Sequence, residues 1–266
     1  MKKILSFLGI IAMIMTFSCQ KNGTDQPAGN TTGDNSGEGG GGGTTYTNEI
    51  VIDGQFEDWA NVDPSLIVTC KTNSEAKWEG VTQMKIFATK DAVFYYAEYD
   101  SDILDSYKAT NSLFPGRVNI NTDGEFESGY EKYWKQKYDF MFEGNFDDGN
   151  GGWGTFDIAL YQRILDTATN KWAWVNLGKG ALSGAGTDNI IELKVDRAKF
   201  NELTNAGTDP KPFVSTFQTG MTFYYTVHDE TTGKNTWETM SVLPNAAISA
   251  SDAEGKANLV EITFPQ

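Results

Sequence analysis

Short runs in which apolar and polar residues alternate recur along the chain from residue 84 onward. Side chains of a β-strand point alternately to opposite faces, so this alternation is typical of strands that bury one face. The run Val93–Ala97 is apolar at every position, which favours a central strand covered on both faces. Clusters of Gly, Asn and Asp separate the runs and favour turns. The alternating runs are Met84–Ala88, Val118–Ile120, Phe140–Phe142, Phe156–Leu160, Ile191–Val195 and Phe223–Val227.

Helical signals are few and short. Asp196 is suited to cap a helix that extends to Leu203, because its carboxylate can accept hydrogen bonds from free N–H groups of the first turn. Residues 102–109 and 131–135 are the other two short helices that the sequence predicts. Because strands dominate, the pattern predicts an all-β fold, an antiparallel β-sandwich with short helical insertions.

The first 19 residues have the features of a lipoprotein signal peptide. Lys2 and Lys3 precede an apolar run, Ile4–Phe17, which is short for a membrane span and suits the core of an export signal. Ser18 and Cys19 follow, and a small residue before Cys resembles a lipoprotein signal peptidase site, where the Cys is acylated and becomes the mature N-terminus. We therefore expect lipidation at Cys19, with simple secretion as the alternative.

Residues 20–45 are expected to form a flexible, Gly-rich tether. They include five consecutive glycines, Gly39–Gly43, and almost no apolar residues, so they cannot bury enough surface to offset the entropy of ordering. Residues 46–266 contain no second linker and no internal repeat, and their length suits one β-sandwich binding domain.

The charge and the cysteines limit the function further. The chain has 36 Asp and Glu against 21 Lys and Arg, a net charge of −15, which disfavours nucleic acid and anionic lipid headgroups as partners. Its two cysteines are Cys19 and Cys70. If Cys19 is acylated, Cys70 has no partner, so we expect no disulfide and a buried, apolar Cys70.

The segment Ile50–Val62 is expected to organise the start of the domain. Asp53 and Gly54 favour a turn, because Gly accepts positive φ and Asp can bond its own backbone. Phe56 and Trp59 have the spacing of one helical turn with an apolar side. We therefore expect Trp59 to be buried.

An Ile-Asp-Gly turn followed by an acidic residue and Trp resembles the start of the family 9 carbohydrate-binding modules and their DOMON-like relatives. Val81–Asp100 is similar to the family's second and third strands, Arg117–Gly124 to its Asp-rich strand end, and Ile190–Val195 to a late strand with a central Glu. The resemblance implies a β-sandwich, glycan binding and, as a cofactor, structural calcium. The chain also resembles surface lipoproteins of Bacteroidetes, which implies an outer-membrane lipoprotein on the periplasmic or cell-surface face.

The segment 171–177 is the first candidate for a ligand-binding surface. Trp172, Trp174 and Asn176 alternate along one strand and therefore share one face, with the two rings about 7 Å apart. Flat rings beside an amide suit a pyranose ring, whose C–H groups pack on aromatic faces. The alternative is that this face belongs to the core.

Two more tryptophans are candidate ligand contacts. Trp153 lies in a Gly-rich loop, and we expect it to be either a lid over the end of the sandwich or a ligand contact. Trp134 accompanies Tyr130 and Tyr133 in a segment that we expect to expose aromatic rings. Asp123 and Glu125 are candidate calcium ligands, since they offer oxygen atoms at alternate positions, and a plain turn at a strand end is the alternative.

The sequence contains no nucleophile elbow, zinc-protease pair, phosphate-binding loop or dinucleotide fingerprint, so we expect no enzymatic activity. The first hypothesis is a lipid-anchored, non-catalytic module of the cell envelope that binds an oligo- or polysaccharide for a neighbouring transporter or hydrolase. The second is a structural or protein-interaction lipoprotein with the same fold. A haem or redox domain is the third, and the lone histidine, His228, argues against it.

Overall fold

The computed structural model describes residues 19–21, 46–110, 112–125, 129–148 and 152–266, with only the backbone of Phe156. The expected signal peptide up to residue 18 and the expected tether from residue 22 to 45 lie outside the described residues.

Thirteen strands account for most of the regular structure among the described residues. In chain order they are β1 (Cys19–Lys21), β2 (Val68–Lys71), β3 (Val81–Ala88), β4 (Ala92–Tyr99), β5 (Pro115–Asn121), β6 (Phe140–Asp147), β7 (Trp153–Asp166), β8 (Lys171–Lys179), β9 (Leu182–Thr187), β10 (Ile190–Asp196), β11 (Thr216–Asp229), β12 (Lys234–Leu243) and β13 (Val260–Thr263).

The strands form two antiparallel sheets, which confirms the predicted β-sandwich. The first sheet has the order β1-β2-β3-β4-β10-β9, and the second has the order β12-β11-β5-β6-β7-β8, with β13 paired to β11. One core cluster contains residues of both sheets. The hydroxyl oxygens of Tyr95 in β4 and Thr219 in β11 lie 3.0 Å apart across the interface between the sheets.

Two helices decorate the sandwich. They are α1 (Ser101–Lys108) and α2 (Arg197–Asn205). Asp196 caps α2 as predicted, since its side chain accepts a hydrogen bond from the Lys199 backbone N–H. The predicted helix over 131–135 is wrong. That segment is instead held by single β-bridges, one between Tyr130 and Tyr138 and one between Trp134 and Ala257.

The outer face of the first sheet is covered by the segment that precedes β2. This segment contains two short 3₁₀ helices, Glu57–Asn61 and Pro64–Leu66. Trp59 is 4% exposed and packs in a cluster with Phe94 and Tyr96 of β4, which confirms that it is buried. This cover explains why β4 is apolar on both faces, because one face meets the core and the other meets the segment.

The expectation that the domain has no disulfide is wrong. Cys19 pairs opposite Cys70 in the β1–β2 register, and their sulfur atoms form a disulfide bond. Gln20 and Lys21, expected to begin the tether, belong to β1 instead. The expectation assumed that Cys19 is acylated, which would leave Cys70 without a partner, whereas the structure joins the two sulfur atoms. None of the helices among the described residues is long and apolar enough to cross a membrane.

Candidate functional site

The face of the second sheet that points away from the core carries a cluster of aromatic and charged side chains, and we call it the aromatic face. The register places Arg117 of β5 opposite Glu143 of β6. Met141 of β6 lies opposite Tyr161 of β7, and Tyr161 lies opposite Asn176 of β8. Paired residues of an antiparallel sheet project from the same side, so these side chains share one face across four strands, although Met141 itself is buried.

A wall of aromatic residues borders this surface. The ring of Tyr130 meets the ring of Trp174 edge-on at 5.7 Å between centroids. Towards the opposite edge of the sheet, on the same face, the hydroxyl oxygens of Tyr133 and Thr239 of β12 lie 3.0 Å apart. The segment 129–138 therefore runs from β8 towards β12 over one end of the aromatic face. The strand residues beyond it, near Arg117 and Glu143, stay partly open to solvent.

Trp134 anchors this wall to the sheet. Its ring is fully buried, and its indole N–H donates to the Pro244 carbonyl oxygen at 3.1 Å. A Cβ atom at Gly220 of β11 would lie 2.7 Å from the Trp134 ring, so only Gly leaves room for it. The expectation that Trp134 contacts a ligand is wrong in this conformation, because its ring has no accessible surface.

An Arg–Glu pair occupies the middle of the aromatic face. The Arg117 guanidinium forms an ion pair with the Glu143 carboxylate and donates a hydrogen bond to the Tyr224 hydroxyl oxygen at 2.9 Å. It also lies 5.1 Å from the centroid of the Tyr224 ring, within the range of a cation–π contact. Burial acts to lower the pKa of Arg117, but Tyr224 and Glu143 outweigh it and the pKa is raised. The positive charge of the guanidinium is therefore balanced by the Glu143 carboxylate beside it.

Tyr138 lies buried beside this pair. Its hydroxyl has no hydrogen-bond partner among the described residues, and burial raises the pKa of the phenol. Its ring contacts Trp174 at 6.1 Å between centroids. The buried Tyr138 ring therefore packs behind Trp174, on the side that faces away from solvent.

The structure answers whether Trp172 and Trp174 lie in the core. Trp172 is 41% exposed, and Trp174 is half-buried against Tyr130 and Tyr138. Neither ring belongs to the core between the two sheets. The Arg163 guanidinium lies 5.6 Å from the Trp174 ring centroid. Asn176 is exposed, and its side-chain oxygen accepts a hydrogen bond from the Gly178 backbone N–H at 2.8 Å.

Trp153 has the position of a lid over the end of the sandwich. Its ring stacks on Tyr99 at 4.8 Å, and its indole N–H donates to the Asp188 carbonyl oxygen at 2.8 Å. These contacts join β7 to the first sheet. Of the two alternatives drawn from the sequence, the packing agrees with the lid.

The candidate metal ligands Asp123 and Glu125 do not converge on one position. Asp123 accepts a hydrogen bond from the Glu125 backbone N–H at 2.9 Å, and its other oxygen lies 2.7 Å from the Lys211 ammonium. Lys211 also lies 3.1 Å from the buried Asp139 carboxylate. A lysine cation thus lies between these carboxylates. Among the described residues, no three acidic, His or Cys side chains are grouped to hold a metal ion.

Sequence reasoning did not select Arg117, Glu143 or Trp237 as site residues. Trp237 of β12 is 41% exposed, and its ring contacts Tyr224 at 5.6 Å between centroids. Arg117 and Glu143 did interrupt apolar runs with opposite charges, but only the register between β5 and β6 brings the charges together. His228 lies on the exposed hairpin of β11 and β12, with its Nδ1 2.9 Å from the Asn235 side-chain oxygen.

A separate depression of about 510 Å³ lies between β9, β10 and α2. Three of its four charged groups have partners, since Lys199 pairs with Glu202 and Asp196 caps the helix; the fourth is Lys194. The aromatic face is therefore the stronger candidate for a binding site. No protein-family model matches this chain, and no curated protein matches it.

Proposed function

We propose that this chain is a non-catalytic glycan-binding protein, related in kind to the family 9 carbohydrate-binding modules and anchored to the cell envelope by a lipid on Cys19. The proposal includes an outer-membrane location on the periplasmic or cell-surface face, and delivery of the glycan to a neighbouring transporter or hydrolase. The observation that carries it is the solvent-facing pair Trp172 and Trp174 on one strand of the aromatic face.

The chemistry of this pair suits a sugar. The C–H groups of a pyranose pack on flat aromatic rings, and an exposed ring that is fixed from behind loses little conformational freedom on binding. Tyr130 and Tyr138 fix Trp174 in this way. Asn176 and Arg163 lie beside the rings, where polar side chains can bind hydroxyl groups.

The experiment is affinity electrophoresis of the purified protein through gels that contain neutral polysaccharides, followed by calorimetry. We expect Trp172→Ala to weaken glycan binding about tenfold, which is about 1.4 kcal/mol. Leu66→Ala is the matched control, because Leu66 is 45% exposed but lies on the segment that covers the first sheet. Unchanged binding by both Trp172→Ala and Trp174→Ala would contradict the proposal.

One observation favours a second function, the docking of a protein partner. Leu165 of β7 pairs opposite Trp172 and is 40% exposed, and Val175 is 37% exposed on the other face of β8. Exposed apolar residues on an edge strand, here β8, and on the strand beside it are typical of protein-interaction sites. Retardation by a glycan that is lost in Trp172→Ala but kept in Leu165→Ala would favour the first function over the second.

A further inference from the structure

We infer that the side chains of Lys211 and Asp123 join in an intramolecular amide bond, and that the buried Asp139 carboxylate moves a proton in this reaction. The bond would link the end of β5 to the segment that precedes β11, its neighbour in the second sheet. This is a covalent modification of the chain by its own residues, and it does not depend on the proposed glycan binding.

The ends of three neighbouring strands bring the reacting side chains together. Asp123 follows β5, Asp139 directly precedes β6, and Lys211 lies between α2 and β11. In the second sheet β5 lies between β6 and β11 and is antiparallel to both, so these three positions meet at the same end of the sheet. The Asn121 side chain holds the turn after β5, because its oxygen accepts a hydrogen bond from the Gly124 backbone N–H at 2.7 Å.

The amine of Lys211 is in contact with the carboxyl group of Asp123. The Lys211 Nζ lies 2.7 Å from the Asp123 Oδ2, and the carboxyl carbon is one bond beyond that oxygen. This places the nitrogen close to the separation of about 3–3.5 Å from which two reacting atoms can form a bond. The side chains are only 19% and 25% exposed, so water has limited access to the pair. Groups held in this way reach effective concentrations of about 10⁵–10⁸ M, which favours an amide that does not form between free molecules in water.

Asp139 is placed to take a proton from the amine. Its Oδ1 lies 3.1 Å from the Lys211 Nζ, and its side chain is 1% exposed. Its Oδ2 has no hydrogen-bond partner among the described residues. Burial raises the pKa of this carboxyl to about 6, and a group with a pKa near the working pH both accepts and donates protons efficiently. Because burial is the largest cause of the shift, its direction does not depend on the Lys211 charge.

The reaction releases one water molecule and needs no oxidant or reductant. One proton passes from the Lys211 ammonium to the Asp123 Oδ2, which leaves a free amine beside a neutral carboxyl group. The nitrogen then bonds to the carboxyl carbon. Asp139 accepts a second proton from the nitrogen and donates it to Oδ2, the bond between the carbon and Oδ2 breaks, and water leaves. The other oxygen, Oδ1, accepts a hydrogen bond from the Glu125 backbone N–H at 2.9 Å, which stabilises the negative charge that develops on it.

The test is mass spectrometry of proteolytic peptides from the purified protein. We expect the peptide that contains Asp123 and the peptide that contains Lys211 to be linked, with a mass lower than their sum by one water molecule. Lys211→Arg, which keeps the charge, and Asp123→Ala should give no linked pair. Asp123→Asn should still give the linked pair, now with the loss of one ammonia molecule, because the leaving group is then an amide nitrogen.

The role of Asp139 is tested by the rate at which the link forms. Asp139→Asn should slow it about a hundredfold or more, measured as the linked fraction of freshly synthesised protein over time. Asp139→Glu is the matched control, because it keeps a carboxyl group, and it should react faster than Asp139→Asn. Circular dichroism reports whether each variant is folded. If the link forms as fast in folded Asp139→Asn as in the parent, Asp139 does not move the proton.

A succinimide at Asp123 and Gly124 also loses one water molecule, but it forms without Lys211 and links no peptides. Loss of water from the parent protein without a linked pair would identify the succinimide and contradict the inference. Folded parent protein whose Asp123 and Lys211 peptides are both recovered unlinked and at full mass would also rule out the amide bond.

Discussion

Trp59 and Glu192 are joined by a hydrogen bond that ties the start of the domain to its first sheet. The indole N–H of Trp59 donates to one carboxylate oxygen of Glu192 at 3.2 Å, and the backbone N–H groups of Asp53 and Gly54 donate to the other at 2.9 Å. Glu192 lies in the middle of β10 and is fully buried. One carboxylate thus organises both the turn and the tryptophan of the segment that precedes β2.

The first prediction concerns this carboxylate. In Glu192→Gln, a side-chain N–H₂ group replaces one acceptor oxygen, so at least one buried N–H donor loses its partner. We expect a loss of about 1–3 kcal/mol in the free energy of unfolding. Trp59→Ala should cost about 3–5 kcal/mol, because it removes a large ring from a packed cluster. Urea unfolding measures both changes, and a Glu192→Gln variant as stable as the parent would show that the carboxylate does not organise this segment.

Most of the longer strands could be predicted because their own residues alternate between apolar and polar, whereas β1, β9, β12 and β13 were not predicted. The alternation of Ile191, Leu193 and Val195 places all three in the core, as the structure has them. The apolar run of β4 likewise indicated two covered faces, although the sequence did not show that the segment around Trp59 provides the second cover. Periodicity reports burial but does not identify the neighbour.

The binding surface was harder to predict because it depends on register and on an irregular segment. Trp172 and Trp174 share a strand, so their common face followed from spacing alone. Trp134 was misjudged, since its burial depends on a glycine 86 positions away, Gly220, which leaves space for the ring. Trp237 joins the aromatic face only through its contact with Tyr224 of the neighbouring strand. These are relationships between distant residues, which local pattern does not encode.

The second prediction contrasts two tryptophans of the same face. Trp134→Ala should lower the free energy of unfolding by about 3–5 kcal/mol, because the ring is fully buried. Trp172→Ala should change it by about 0.5 kcal/mol or less, since the ring is exposed. Thermal and urea unfolding of the two variants measure the contrast. Equal losses would show that Trp172 is a structural residue. They would remove the support for a solvent-exposed glycan-binding surface at Trp172.

The third prediction concerns pH. Asp139 is 1% exposed, and burial raises the pKa of its carboxyl to about 6, with Lys211 opposing and Asp123 adding to the shift. In the unfolded chain the pKa is about 3.9, so between these values the folded state binds the proton more tightly. The contribution of Asp139 to stability is therefore fully present below about pH 4 and is lost as the pH rises through 6.

Asp139→Asn should flatten this part of the pH profile, because the amide does not titrate. The measurement is the free energy of unfolding in urea at several pH values from 4 to 7, for the parent and for the variant. Glu125→Gln is the control, since it removes an exposed carboxylate from the turn that holds Asp123. If the parent and Asp139→Asn lose stability in parallel over this range, Asp139 is not the group responsible.

The last prediction concerns the two chemical states of Cys19. Its sulfur forms a disulfide with Cys70 in the structure, whereas the proposed anchor requires a thioether to a lipid on the same atom. One sulfur atom cannot carry both bonds, so the disulfide can form only in protein molecules whose Cys19 is not acylated. In membrane-bound protein we expect a lipid-modified N-terminal peptide and a free thiol at Cys70. Because Cys70 is fully buried, this thiol should react with an alkylating reagent only after denaturation.

Two variants separate these states. Cys19→Ala should leave the membrane fraction, while Cys70→Ser should remain there, because only Cys19 carries the anchor. Mass spectrometry of peptides from the membrane fraction identifies the state of each sulfur directly. Membrane-bound parent protein in which the Cys19 and Cys70 peptides are linked by a disulfide would rule out the lipid anchor at Cys19.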